Sequence, residues 1–221
     1  RPHPNFHVIQ PNLKLFAESN ALCVFEQGWS PYTGGGFAQL RTYLIAKCLW
    51  DPETDWKADF NEFIDLYYGP AAPYIKQYID MITEVVLDPN VFMSTFDPGY
   101  WMDGDLIEKS DALFQKAFDA TRGNAAYTDR VDEAYLTIQY AAIFAPPTVE
   151  IVDNEYILRR PPSLTLDEFF DRLRARGIQY TGEHIRIEDL AEEFDGKRPP
   201  RIEKHSIEKL ENEHVRLWVV P

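Results

Sequence analysis

Glu26 is the carboxylate that this sequence places best for chemistry. It follows the apolar run Ala21 to Phe25, which reads as a short buried strand ending in Val24-Phe25-Glu26-Gln27-Gly28, and it opens an aromatic, glycine-rich loop from Trp29 to Gly36. In α/β barrels the reacting groups sit at that end of a strand. Gly28 and Gly34-Gly35-Gly36 let the backbone approach a ligand closely, and Trp29 and Tyr32 offer flat apolar faces on which a sugar ring can stack. Glycoside hydrolysis takes two carboxyl groups, one protonating the leaving oxygen and the other attacking or activating water. Glu26 is the candidate catalytic residue for one of those roles, with Trp29 and Tyr32 as candidate substrate-binding residues. A glutamate at a strand end can equally bind a neighbouring arginine or backbone amides.

A second group of polar and aromatic residues lies between Asp97 and Asp105. Tyr100 and Trp101 are further candidates for substrate binding, beside Asp97, Asp103 and Asp105. The acidic spacing also raises calcium, but the glycine and terminal glutamate of an EF-hand loop are not in place. The plainer alternative is that the aromatics of this loop pack against helices. His3, His7, His184, His205 and His214 are scattered, and no zinc-binding His-Glu-x-x-His, phosphate-cradling loop, nucleophile elbow or dinucleotide fingerprint occurs. The expectation is therefore no cofactor and no metal.

These residues need elements to hold them. A short helix over 10–20, with Leu13, Phe16 and Ala17 on one face, would feed the strand at 21–26. Phe37, Leu40, Leu44 and Cys48 then share a helical face up to Asp51-Pro52, where proline disfavours a helical residue before it. Trp56, Phe60, Phe63, Ile64 and Tyr67 make the next stripe, ended by Gly69-Pro70, and Tyr74 to Val86 another, ended by Asp88-Pro89. Helices over about 105–121 and 126–144 complete a set that can enclose a core, and short connections favour antiparallel neighbours. After Pro146-Pro147 the pattern mixes strand and helix. Thr165 and Glu168 form a capping box for a helix over 166–176 that Gly177 closes, 178–187 reads as extended, 188–195 as a short helix and 196–205 as a linker.

Composition narrows the class. With 221 residues, 45% hydrophobic and 14% aromatic, the chain can bury a sizeable core. A formal net charge of −14 without a basic stripe argues against nucleic acid or an anionic membrane as the main partner. Acidic residues such as Glu108, Asp111 and Asp119 fall opposite apolar positions, as on a solvated helix face. Cys23 and Cys48 form no disulfide framework or metal spacing and read as small buried hydrophobes. No apolar run approaches the roughly 20 residues of a membrane span. The compartment is left open. The start at Arg1 and the strand-like alternation of 214–220 before Pro221 suggest a processed product or a piece of a larger protein.

Several blocks carry a resemblance. Val24 to Gly28, the helix from Phe37-Ala38-Gln39-Leu40-Arg41 to Trp50-Asp51-Pro52, and above all Tyr67-Tyr68-Gly69-Pro70-Ala71-Ala72-Pro73-Tyr74-Ile75 resemble an uncharacterised domain family found in large bacterial proteins similar to α-glucuronidases and other barrel glycoside hydrolases. The helix from Arg130-Val131 to Gln139-Tyr140 fits the same pattern, so the resemblance spans roughly residues 10–145. Leu210 to Leu217 also looks like the opening strand of a sugar-mutarotase-like β-sandwich. The resemblance implies a mainly α fold: residues 1–35 end an α/β barrel-like strand–loop–helix unit, 36–145 form a helical bundle, and 146–221 are a small mixed α/β extension and linker into a further domain. It implies carbohydrate as ligand, upstream and downstream domains of the same protein as partners, and a glycoside hydrolase of which this chain alone is inactive. The alternative is a non-catalytic helical scaffold or glycan-binding module.

Overall fold

The computed structural model describes residues 2–26, 35–93, 101–144, 148–152, 155–159, 166–181 and 185–196. The chain is mainly helical. In order, the elements are α1 (Phe6–Glu18), α2 (Ala38–Trp50), α3 (Trp56–Tyr68), a 3-10 turn (Gly69–Ala71), α4 (Ala72–Val86), α5 (Gly104–Thr121), α6 (Ala125–Phe144), β1 (Thr148–Val152), β2 (Glu155–Arg159), α7 (Leu166–Ala175) and α8 (Ile187–Gly196).

The helical stripes found in the sequence face one core. Leu40, Leu44 and Cys48 of α2, Ile64 of α3, Ile75, Tyr78 and Ile82 of α4, Ile107 and Phe114 of α5, and Val131 and Ile138 of α6 are all shielded from solvent. Side-chain pairs fix the helix directions. Lys47 meets Asp59 while Tyr43 meets Phe63, so α2 and α3 are antiparallel. Lys76 with Asp65 and Tyr135 with Asp111 give the same sense to α3–α4 and α5–α6. The helix starts are capped by short carboxylates: Asp55 accepts from the amides of Lys57 and Ala58, and Asp103 accepts from Leu106 at 2.8 Å.

The α1–α2 pair is the exception. Near its start, Arg41 donates to the Asn5 side chain and to the His3 carbonyl; near its other end, Lys14 meets Glu53 at 2.7 Å and Gln10 donates to the Pro52 carbonyl. The two helices therefore run in the same direction. Phe6, Ile9 and Leu13 belong to the same core as α2 to α6, so α1 packs as a member of the bundle.

Three expectations change. Residues 21–26 are exposed and pair with no strand among the described residues, so the buried strand is not found there. Cys23 is exposed with it, whereas Cys48 is buried and burial pushes its thiol pKa up. On α1, Leu13 is buried but Phe16 and Ala17 face outward, because the helix begins at Phe6 and uses Phe6, Ile9 and Leu13 as its inner stripe. Gly69-Pro70 ends α3 as expected: Gly69 takes φ +52°, and Pro70 sits in a 3-10 turn that leads straight into α4.

β1 and β2 form an antiparallel hairpin in which Val149 pairs with Leu158 and Ile151 with Tyr156. Beyond it, Phe169, Phe170 and Leu173 of α7 pack with Ile178, Ile187 and Leu190 against Leu136 of α6. Arg172 and Arg176 tie this unit to Asp132 at 2.7 and 2.9 Å. Thr165, the linker after 196 and the strand-like segment 214–220 lie outside the described residues.

Candidate functional site

The segment carrying Glu26 leaves α1 through a turn in which the Ala21 amide donates to the Phe16 carbonyl at 3.0 Å. From there Leu22 is fully exposed, Val24 is 37% and Phe25 85% exposed. Glu26 is exposed too, and it makes no hydrogen bond or ion pair among the described residues. Trp29 and Tyr32 lie outside the described residues, as do Tyr100 and Asp97, so their relation to Glu26 is not part of the geometry.

The chain returns to the core at Gly35, which is buried, and at Phe37, which holds a left-handed conformation at φ 56°. For a bulky L residue that conformation costs about 1–2 kcal/mol. It is offset by packing: the Phe37 ring lies 6.0 Å from both Tyr68 and Tyr78 and 6.3 Å from Phe6. The glycine-rich loop is thus anchored firmly where it enters α2.

One turn further along α2, Arg41 is buried with its guanidinium 4.8 Å from the Phe6 ring centroid. Its bonds run to two neutral acceptors, the Asn5 side chain and the His3 carbonyl. Burial pushes its pKa down to about 10, which still leaves it charged at neutral pH. Among the described residues no carboxylate pairs with it. The sequence reading missed Arg41 because it sits between Leu40 and Leu44, one step off the apolar stripe, and a single arginine there looks like surface.

The second candidate group resolves into structural roles where it is described. Trp101 is half-buried and packs against the main core beside the fully buried Met102. Asp103 caps α5, and Asp105 pairs with Lys109 at 2.6 Å. Of the acidic residues expected on solvated faces, Glu108 and Asp119 are exposed, but Asp111 is half-buried and accepts a hydrogen bond from Tyr135. Among the described residues no cluster of three or more His, Cys, Asp or Glu can hold a metal ion, and no helix is long and apolar enough to cross a membrane.

The most specific sequence block, Tyr67-Tyr68-Gly69-Pro70, turns out to be an α3–α6 junction. Arg130 donates to the Tyr67 carbonyl at 2.7 Å, with its guanidinium 4.4 Å from the Tyr67 ring and 5.6 Å from the Tyr127 ring. The Tyr127 ring lies over Gly69 so closely that a Cβ there would come within 2.6 Å of it. Phe63 stacks on Tyr67 at 5.0 Å. Within this column Tyr67 lies between Phe63 and Arg130, so it builds the fold and offers no open platform to a sugar.

Residues 1–80 match a domain family of unknown function, described as Domain of unknown function (DUF4838). The match runs from α1 into α4 and takes in both the Glu26 segment and the Tyr67-to-Ile75 block; α5, α6 and everything after them lie beyond it. No curated protein and no solved structure gives a significant match.

Proposed function

We propose that this chain is a helical region of a carbohydrate-active, glycoside-hydrolysing protein and that it contributes Glu26 to the sugar site. The observation that carries this reading is the state of Glu26: an exposed carboxylate, engaged by no described partner, on a segment followed by a glycine-rich loop whose far end Phe37 anchors in the core. The resemblance of the 24–28 and 67–75 blocks to an uncharacterised domain family found in proteins similar to barrel glycoside hydrolases supports the same reading. Hydrolysis requires a second carboxylate across the scissile bond, so this chain by itself binds sugar without turning it over. The test is a nuclear magnetic resonance titration of the chain with uronic acids and neutral sugars. Shifts confined to Glu26 and its neighbours, lost in Glu26→Gln, support the reading; no response from any sugar at millimolar concentration removes it.

A second reading is favoured by one feature. Leu22, Val24 and Phe25 are exposed apolar side chains, not the walls of a polar cleft, which is the environment of a scaffold surface that holds a neighbouring polypeptide in place.

A further inference from the structure

Scattered exposed apolar residues are ordinary on a protein surface, but here they gather at one end of the α1–α2 pair. Leu15 and Phe16 close α1 with 56% and 38% exposure, and Leu49 and Trp50 close α2 with 48% and 92%. The Lys14–Glu53 and Gln10–Pro52 contacts bring those two helix ends together, and Ala21 to Phe25 departs from the same end through the Ala21–Phe16 hydrogen bond. Among the described residues, moreover, the amides of 22–26 donate to no backbone carbonyl. Alternate positions along Ala21-Leu22-Cys23-Val24-Phe25 are apolar on both sides, the pattern of a strand covered on both faces. A strand between two helices that point the same way is the element order of an α/β unit.

Charge selects the partner. The carboxylates at this end are Glu18, Asp51 and Glu53, with Glu26 on the segment that leaves it, whereas Lys14 is already held by Glu18 and Glu53 and Lys47 by Asp59. Two copies meeting through this face would oppose like-charged rims on chains of net charge −14. A strand edge on another polypeptide, apolar in its centre and bordered by lysine or arginine, answers both those amides and the acidic rim.

We propose that residues 21–26, with the ends of α1 and α2, form a docking face that adds as a strand to the cation-rimmed edge of a partner β-sheet. This goes beyond the sugar reading and does not require it. The main chain of 22–26 supplies the ladder hydrogen bonds, and Leu22, Phe25 and Trp50 supply the apolar cover.

The experiment uses two synthetic peptides of about ten residues, one alternating lysine with valine and the other alternating glutamate with valine. Amide hydrogen exchange at residues 22–26 and the Trp50 indole signal are read in the whole chain. The lysine peptide is expected to slow exchange there about tenfold, an effect weakened by salt and absent for the glutamate peptide. In Leu22→Asp with Phe25→Asp the effect disappears while circular dichroism and the urea midpoint stay the same. No response to the lysine peptide, or an equal response to both, overturns the proposal. Protection that grows with protein concentration assigns the face to a second copy, and protection already present in the dilute chain assigns it to another segment of this chain; either result overturns it as well.

Discussion

The two ends of α2 and their surroundings differ in what they do with their aromatic residues. On the closed side, Phe37, Tyr68, Tyr78, Phe114 and Tyr135 pass from ring to ring at centroid separations of 5.1 to 6.0 Å, and each is buried. On the open side, Trp50 and Phe25 are among the most exposed apolar residues of the chain. Composition does not separate the two regions, since both are rich in large apolar side chains. What separates them is partnership: the closed side has helices on every flank, and the open side follows an apolar segment that nothing described here covers. The same kind of side chain is buried on one side and exposed on the other according to whether a described element packs over it.

The contrast is broken most severely from the closed side. Phe114→Ala removes a ring with no solvent exposure that touches both Tyr78 and Tyr135, and is expected to cost about 3–5 kcal/mol of unfolding free energy, read from urea denaturation. An unchanged midpoint would mean that the aromatic chain is not the keystone described here. Gly69→Ala comes next. The backbone at φ +52° and ψ −122° belongs to glycine, and the added methyl would meet the Tyr127 ring, so a loss of about 1–3 kcal/mol is expected from the backbone alone. Combining it with Tyr127→Ala should cost less than the sum of the two single changes, because the steric part is shared while the backbone part is not. Strict additivity would show that Tyr127 simply swings away.

The sequence made the closed side readable and left the open side misread, for one reason. Periodicity reports which side of an element is apolar and says nothing about whether a partner is present. Leu40, Leu44 and Cys48 fall at helical spacing and are buried in the core that α2 shares with its neighbours α1 and α3. Ala21 to Phe25 has the composition of a buried strand, yet among the described residues no strand pairs with it and it is exposed. Leu49 and Trp50 lie off the inner stripe of α2, and that departure was the available signal of a second apolar surface. Glu26 is exposed and follows an apolar run, whereas the strand pairing expected for that run depends on a partner that local sequence does not report. Arg41 was invisible for the opposite reason: a charged residue is expected outside, and only the folded arrangement of Asn5, His3 and Phe6 around it makes burial tolerable.

A smaller and pH-dependent difference lies at the boundary between the two sides. Asp59 is buried, which by itself would raise its pKa, but hydrogen bonds from Lys47 at 2.8 Å and Thr54 at 2.7 Å outweigh that and hold it below the ordinary carboxylate value. A carboxyl group whose folded pKa lies below its unfolded one stabilises the fold above the unfolded value of about 4, and that contribution is lost as the pH falls through the folded value. Asp59→Asn is therefore expected to lower stability by about 1 kcal/mol at pH 7, with the gap to the parent chain closing as the pH is brought below about 4. A gap that persists at acid pH would assign the effect to packing of Asp59 rather than to its charge.

The smallest expected effect is the one that bears most directly on the comparison. Replacing Leu22 and Phe25 together by serine removes two large side chains whose exposure is 102% and 85%. If the open side is finished surface, these side chains have no neighbours to lose, and the unfolding free energy should move by no more than about 0.5 kcal/mol. The matched control is Leu40→Ala, a single change at a residue of zero exposure, for which about 2–5 kcal/mol is expected. The size of that ratio is the measure of how differently the chain treats apolar residues of the same kind. A loss above 1 kcal/mol for the serine pair would show that residues 21–26 are covered in solution by another part of this chain, and the open side would then be closed like the rest of the bundle. A negligible loss, together with higher solubility of the serine variant, would show that these side chains are kept for association and contribute nothing to folding, because selection for stability alone has no reason to hold a leucine and a phenylalanine in water.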